Sequence, residues 1–186
     1  MNLKATLSAL LIAGLAAPSA FAAGEGGTIT FDGSITNVTC TVHGGDQGNG
    51  PDFTVSMKGV SAGAFANVGD VAGRTPFRIY IGAPGETACT NGTKVWAAFE
   101  NGSTVDPNTG ALNVIGGATG VQIRLFDKAG TPIDILANDQ GAVQETVTGN
   151  QATLVYESAF QRTAAVVAGD ADSSVVYGVR FEPAGP

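Results

Sequence analysis

The feature that most constrains this chain is a period-two alternation of apolar and polar side chains, repeated in several short segments. In GVQIRLFD, residues 120–127, the row Val121, Ile123 and Leu125 falls on one face of an extended backbone, and Gln122 and Arg124 fall on the other. The linker DKAGTP, residues 127–132, joins this segment to a second apolar one and predicts a hairpin. SSVVYGVRF, residues 173–181, repeats the alternation, with an apolar row of Val175, Tyr177, Val179 and Phe181.

Similar segments recur along the chain and are divided by turn-forming pairs such as Asn91-Gly92 and Asn101-Gly102. Residues 58–73 and 162–172 lack a clear period and are predicted to be loops or irregular edges. Many short strands joined by such turns predict an all-β antiparallel sandwich or barrel. The predicted strands are 28–43, 53–59, 76–82, 94–100, 111–115, 120–127, 131–136, 152–161 and 173–181.

The N-terminal residues have the layout of a secretory signal peptide. Lys4 gives a positive start, an apolar run covers residues 5–17, and Ala20-Phe21-Ala22 fits a small-x-small cleavage site. The run is too short to span a bilayer, and no later stretch approaches the roughly 18 consecutive apolar residues that a spanning helix needs. We therefore expect a signal peptide at residues 1–22 and a soluble exported protein.

The net charge of the chain bears on whether it binds nucleic acid, and its length bears on the number of domains. Loss of Lys4 with the signal peptide leaves 8 basic residues (9 minus 1) against 16 acidic ones, a net charge of −8. Because phosphate contacts require Lys and Arg, a chain this acidic is not expected to bind nucleic acid. The chain after cleavage, called the mature chain below, has about 163 residues, the size of one domain.

Cys40 and Cys89 are the only cysteines in the sequence. In an exported chain an even pair predicts a disulfide, with two free buried thiols as the alternative. By the chain-entropy relation, closing a loop of about 50 residues contributes about 4 kcal/mol. Two cysteines and the lone His43 do not make a set of metal ligands, so no metal site is predicted.

Few other residues suggest chemistry. His43 has no identifiable nucleophile beside it in sequence, so an exposed or structural histidine is expected. Asp170 and Asp172, with the nearby Ser173, lack the spacing of a calcium loop and are expected in a solvated loop. Trp96 is expected to pack in the core, with an exposed sugar-stacking platform as the alternative. Without a catalytic motif, neither an enzyme nor a cofactor is predicted.

Three motifs follow one another along the chain. GTITFDGSITNVTC, residues 27–40, has the pattern Gly-Thr-aliphatic-x-aromatic-x-Gly-x-aliphatic, with a cysteine seven residues past the last glycine. GVQIRLFDKAGTPIDI, residues 120–135, is a pair of strand-like segments around a turn, and ADSSVVYGVRF, residues 171–181, alternates and ends in an aromatic residue. In this order the three motifs resemble the opening pattern, the central strand pair and the terminal strand of the pilin subunits of the chaperone–usher pathway, and most of all those of the major shaft subunits of type 1 fimbriae.

The resemblance implies an incomplete immunoglobulin-like β-sandwich that lacks its last strand. In this family a periplasmic chaperone first supplies that strand, and the N-terminal extension of the next subunit replaces it at an outer-membrane usher. Residues 23–35 would be this donor-strand extension, residues 36–186 the pilin domain, and Cys40–Cys89 the family disulfide. The donor row would be Ile29, Phe31, Gly33 and Ile35, and the acceptor row on the terminal strand would be Tyr177, Val179 and Phe181.

The implied function is a structural subunit of a surface pilus, which polymerises head to tail with identical or related subunits and supports adhesion or biofilm formation. Such a subunit is exported through the periplasm to the cell surface. The chain departs from the family pattern in a longer spacing between its cysteines and in Glu182-Pro183-Ala184-Gly185-Pro186, which follow the terminal aromatic. The alternative hypothesis is a secreted, complete β-sandwich that binds carbohydrate through Trp96.

Overall fold

The computed structural model describes residues 38–45, 50–140 and 143–183. The predicted signal peptide and donor-strand extension, including Ile29, Phe31, Gly33 and Ile35, lie outside these residues. In the described part the regular structure is eight strands and one short 3-10 helix at Ala62–Ala64. The strands are β1 Val42–Gly44, β2 Val71–Gly82, β3 Lys94–Phe99, β4 Leu112–Asn113, β5 Thr119–Phe126, β6 Glu145–Thr146, β7 Gln151–Val167 and β8 Tyr177–Glu182.

The strands form two antiparallel sheets that pack as a sandwich, in agreement with the predicted all-β class. The larger sheet has the order β1-β2-β7-β5-β4, and the smaller has the order β6-β3-β8. The longest pairing joins β2 to β7, from Val71↔Gln161 to Gly82↔Gln151. Within the described residues β8 pairs with β3 alone, from Lys94↔Glu182 to Phe99↔Tyr177, so β8 is an edge strand of the smaller sheet.

The core lies between the sheets and follows the alternation of the strands. Tyr156 of β7 is at its centre, with its ring stacked 5.7 Å from Phe77 and edge-on to Phe99 at 5.3 Å. The Tyr156 hydroxyl accepts a hydrogen bond of 3.0 Å from the Ala97 N–H. This bond satisfies a backbone donor of β3 beyond the point where β6 ends. The inward rows of β2 and β3 are buried: Phe77, Ile79, Ile81, Val95, Ala97 and Phe99.

Several predicted boundaries are wrong. Residues 71–73 and 162–167 were expected to be irregular, but they belong to β2 and β7, because ladder bonds to neighbouring strands hold these ends of β2 and β7 extended. Residues 131–136 follow a turn as predicted, with the Asp127 N–H donating to the Thr131 carbonyl at 3.0 Å. They then make a single bridge, Phe126↔Pro132, in place of the predicted strand.

The start of the domain is fixed by the predicted disulfide, which is formed between Cys40 and Cys89. Beside it, the Glu86 carboxylate accepts hydrogen bonds from the Thr41 N–H and the Thr41 hydroxyl at 2.7 and 2.8 Å. The Thr39 N–H also donates to the Ala88 carbonyl at 3.3 Å. The residues that lead into β1 are therefore tied to the turn that carries Cys89.

Candidate strand-binding groove

A long apolar groove of about 1210 Å³ opens between the two sheets. One wall is the segment 51–60, and the other is β8 together with residues 173–176 just before it. The floor is made of core side chains of the larger sheet. These are Phe77, Ile79, Ile123, Leu125 and Phe160.

The β8 wall carries the predicted acceptor row. Tyr177, Val179 and Phe181 all line the groove and are half-buried. Their cross-strand neighbours on β3 face the same way and are almost fully buried: Phe99, Ala97 and Val95 are 4, 1 and 0% exposed. The β8 row therefore points toward the core, as the alternation predicts, but no described residue covers it fully on the side of the groove.

The opposite wall is a segment that alternates like a strand without belonging to a sheet. Phe53, Val55 and Met57 are half-buried and pack on the core, and the residues between them are exposed. Within the part of the chain that the structure describes, no backbone group of residues 53–59 is hydrogen-bonded to another backbone group. The predicted strand at 53–59 is wrong in that respect, because the residues alternate but have no ladder partner in the described part of the chain.

This arrangement can accept one more strand. The outer edge of β8 presents backbone N–H and C=O groups that β3 does not use, and such an edge is a template for another strand. Residues 53–59 present a second set of backbone groups across the groove. A strand placed between them would gain ladder bonds on both sides and bury every second side chain against the apolar floor.

The two walls touch through side chains near the middle of the row 173–181. The Phe53 ring lies 6.1 Å from the Tyr177 ring in an edge-on arrangement and 6.1 Å from the Phe77 ring. The Tyr177 hydroxyl donates a hydrogen bond of 2.6 Å to the Pro51 carbonyl. Burial raises the pKa of the Tyr177 hydroxyl, and the negative charge of Asp52 raises it further.

One end of the groove is lined by Phe65, which is buried. The guanidinium of Arg162, on β7, holds the loop that carries this residue, because its Nη1 donates to the carbonyls of Phe65 and Ala66 at 3.1 and 2.7 Å. The Asp70 carboxylate accepts from the N–H groups of Ala66 and Asn67, each at 2.7 Å. Sequence reasoning missed this end of the groove, since it depends on contacts between residues almost 100 positions apart.

The remaining candidate residues lie elsewhere. Trp96 is not in the core: it is half-buried on the outer face of β3 opposite Arg180, because its neighbours Val95 and Ala97 take the inward positions. His43 is half-buried on β1, opposite Tyr80. Over residues 38–45, 50–140 and 143–183, no three His, Cys, Asp or Glu side chains are grouped as a metal site.

The same residues contain no helix of the length and apolar character that crossing a membrane requires.

Comparison with known proteins gives consistent matches. A family model described as Fimbrial protein matches residues 29–182. The major fimbrial subunit SMF-1 of Stenotrophomonas maltophilia (strain K279a) is 40% identical over 175 residues, which cover 89% of this chain and 98% of that protein. The F17 fimbrial protein of Escherichia coli is 34% identical over 161 residues, which cover 84% of this chain and 87% of that protein.

Solved structures with the same architecture have lower identity. The crystal structure of the P pilus rod subunit PapA is similar with a TM-score of 0.57 at 18% identity, over 77% of this chain and 99% of that one. A chaperone–usher pilus structure that addresses rod uncoiling gives a TM-score of 0.55 at 18% identity, over 86% of this chain and 97% of that one. The fold is therefore the incomplete immunoglobulin-like sandwich, as predicted.

Proposed function

We propose a mode of assembly for this chain from one premise, namely that it belongs to the fimbrial protein family. The chain is a structural subunit of a surface pilus and not an enzyme, and it polymerises with other pilin subunits. In our proposal the groove is the site of polymerisation. Residues 23–35 of the next subunit add there as a strand between β8 and the segment 51–60.

The observation that carries this proposal is a pair of walls that, among the described residues, have no backbone ladder between them and lie above an apolar floor. Filling the groove would bury Ile29, Phe31 and Ile35, each contributing about 1.5–3 kcal/mol. Ladder bonds would each add about 0.5–1.5 kcal/mol. Because the extension and the groove are different surfaces, the contact repeats head to tail and gives an open filament. The open edge also argues against the alternative of a complete carbohydrate-binding sandwich.

The contact between Phe53 and Tyr177 suggests a register for the added strand. These rings already occupy the middle of the groove, so we place Gly33, the position without a side chain, above them. Phe31 then lies beside Val179 of the β8 row, and Ile29 lies beside Phe181. Such a strand runs antiparallel to β8, the pairing that would complete the smaller sheet.

The same groove supports the proposal that partners act on the subunit before assembly. An empty groove exposes apolar side chains and an unpaired strand edge, which promote aggregation. We propose that a periplasmic chaperone covers the groove during export and that an outer-membrane usher exchanges the chaperone strand for the extension of the next subunit. The finished pilus would support adhesion or biofilm formation.

Two complementary variants of the mature chain test the proposal. Deletion of residues 23–35 removes the donor and keeps the groove, whereas Val179→Asp keeps the donor and places a charge in the groove. Neither variant alone should form filaments in negative-stain micrographs, and an equimolar mixture should give one-to-one dimers by size-exclusion chromatography with light scattering. Filaments from the deletion variant, or a mixture that stays monomeric with both variants folded by circular dichroism, would refute the proposal.

A further inference from the structure

We infer that the Tyr177 hydroxyl is a latch that joins the two walls of the groove and sets the rate at which a strand enters between them. The inference rests on the proposed function, since it assumes that a strand adds between β8 and residues 51–60. It assigns to Tyr177 a positioning role in assembly that is separate from its place in the apolar row.

The geometry singles out this residue. Tyr177 is the first residue of β8, and its hydroxyl reaches the carbonyl of Pro51 at the start of the opposite wall, 2.6 Å away. Among the described residues this is the one hydrogen bond that joins the segment 51–60 to β8. The Phe53 ring, edge-on to the Tyr177 ring, keeps the hydroxyl aimed at this carbonyl.

An entering strand competes with this bond. Strands in a sheet lie about 4.7–4.9 Å apart, so the new backbone must pass between the walls where the Tyr177 side chain now crosses. Pro51 has no N–H, so its carbonyl is the only backbone group that it can offer to a new strand. The Tyr177 hydroxyl already occupies that carbonyl. Entry of the strand therefore requires the hydrogen bond between the Tyr177 hydroxyl and the Pro51 carbonyl to break, while the ring can remain below the strand.

Loss of the hydroxyl should speed entry without unfolding the subunit. Pro51 is exposed, so water can solvate its carbonyl once the tyrosine bond is gone. Tyr177→Phe keeps the ring and its contact with Phe53, and removes only the donor. From the net contribution of one hydrogen bond we expect entry to be faster by about 2- to 12-fold.

The experiment measures uptake of a fluorescein-labelled peptide of residues 24–36 by the mature chain, followed by fluorescence anisotropy in stopped flow. Tyr177→Phe is compared with Tyr80→Phe, a matched control on the outer face of β2, whose rate should equal that of the unchanged chain. Phe53→Leu, which loosens the ring contact from the other wall, should also accelerate uptake and serves as a second probe should Tyr177→Phe fold poorly.

The outcomes separate the latch from the proposed function. Faster association in Tyr177→Phe or Phe53→Leu, with Tyr80→Phe unchanged, supports the latch. Equal association rates in all four proteins overturn the latch and leave strand addition intact. Failure of the unchanged chain to take up the peptide at any concentration overturns the proposed function itself.

Discussion

Replacing Tyr156 with Phe should destabilise the subunit although it removes a single oxygen atom. The side chain is 5% exposed, and its hydroxyl accepts the hydrogen bond from the Ala97 N–H. Ala97 is itself 1% exposed, so water does not reach its amide in the folded chain. The substitution preserves both ring contacts, with Phe77 and Phe99, and leaves one buried donor without an acceptor.

The magnitude follows from that orphaned donor. A buried N–H group that loses its acceptor costs about 1–3 kcal/mol. For a chain of this size each kcal/mol shifts the melting temperature by about 2–4 °C, so the expected decrease is about 2–12 °C. The slope of the free energy of unfolding against urea should not change, because the surface exposed on unfolding is the same.

The assay is urea unfolding of the mature chain with its disulfide intact, followed by the fluorescence of Trp96, the only tryptophan. Tyr80→Phe is the matched control, because this tyrosine lies on the outer face of the larger sheet, opposite His43 and Thr153. Its stability should stay within about 0.5 kcal/mol of the unchanged chain. Equal midpoints for Tyr156→Phe and the unchanged chain would refute the idea that this hydroxyl is the acceptor that the Ala97 N–H of β3 needs.

Three further predictions concern stability and assembly. Burial is the main cause that raises the pKa of both Tyr156 and Tyr177 above the usual value of about 10. Their contribution to stability is therefore complete below about pH 10 and is lost as pH rises through the folded-state pKa. Urea midpoints measured between about pH 8 and pH 11 should show this decline, and Tyr156→Phe should make the decline shallower. Replacing Cys40 and Cys89 together with Ser should lower the free energy of unfolding by about 4 kcal/mol, and a loss below about 1 kcal/mol would contradict the chain-entropy account. Gly33→Leu should slow or block filament growth without lowering the melting temperature of the subunit, and a normal filament yield in micrographs would argue against it.

The side-chain faces of this fold were predictable from the sequence, because alternation is a local property of an extended chain. The row Tyr177, Val179, Phe181 was expected to line an acceptor surface, and it does face the groove. The same local rule shows why the core prediction for Trp96 was wrong. Its neighbours Val95 and Ala97 occupy the inward positions of β3, which leaves the large ring on the outer face.

The alternation of side chains does not reveal which strand will be the hydrogen-bonding partner of a segment. Residues 53–59 have the pattern of a strand, but nothing in the described part of the chain pairs with them. They therefore line the groove without belonging to a sheet. Gln122 illustrates the other limit. Its face was predicted to be polar, yet it is 7% exposed, and its amide is hydrogen-bonded at 3.0 Å to Thr109, in the turn before β4, and at 3.1 Å to Asn113, its cross-strand neighbour on β4.

The most direct test of strand addition in the groove is amide hydrogen exchange on the mature chain, with and without the peptide of residues 24–36. Backbone groups of residues 53–59 are without ladder bonds in the described structure, and β8 has one unused edge. If a strand adds in the groove, the peptide should slow exchange at alternate amides of both segments, while β2 and the inner strands of the larger sheet change little. Slower exchange elsewhere with no protection at residues 53–59 and 177–182 would contradict it.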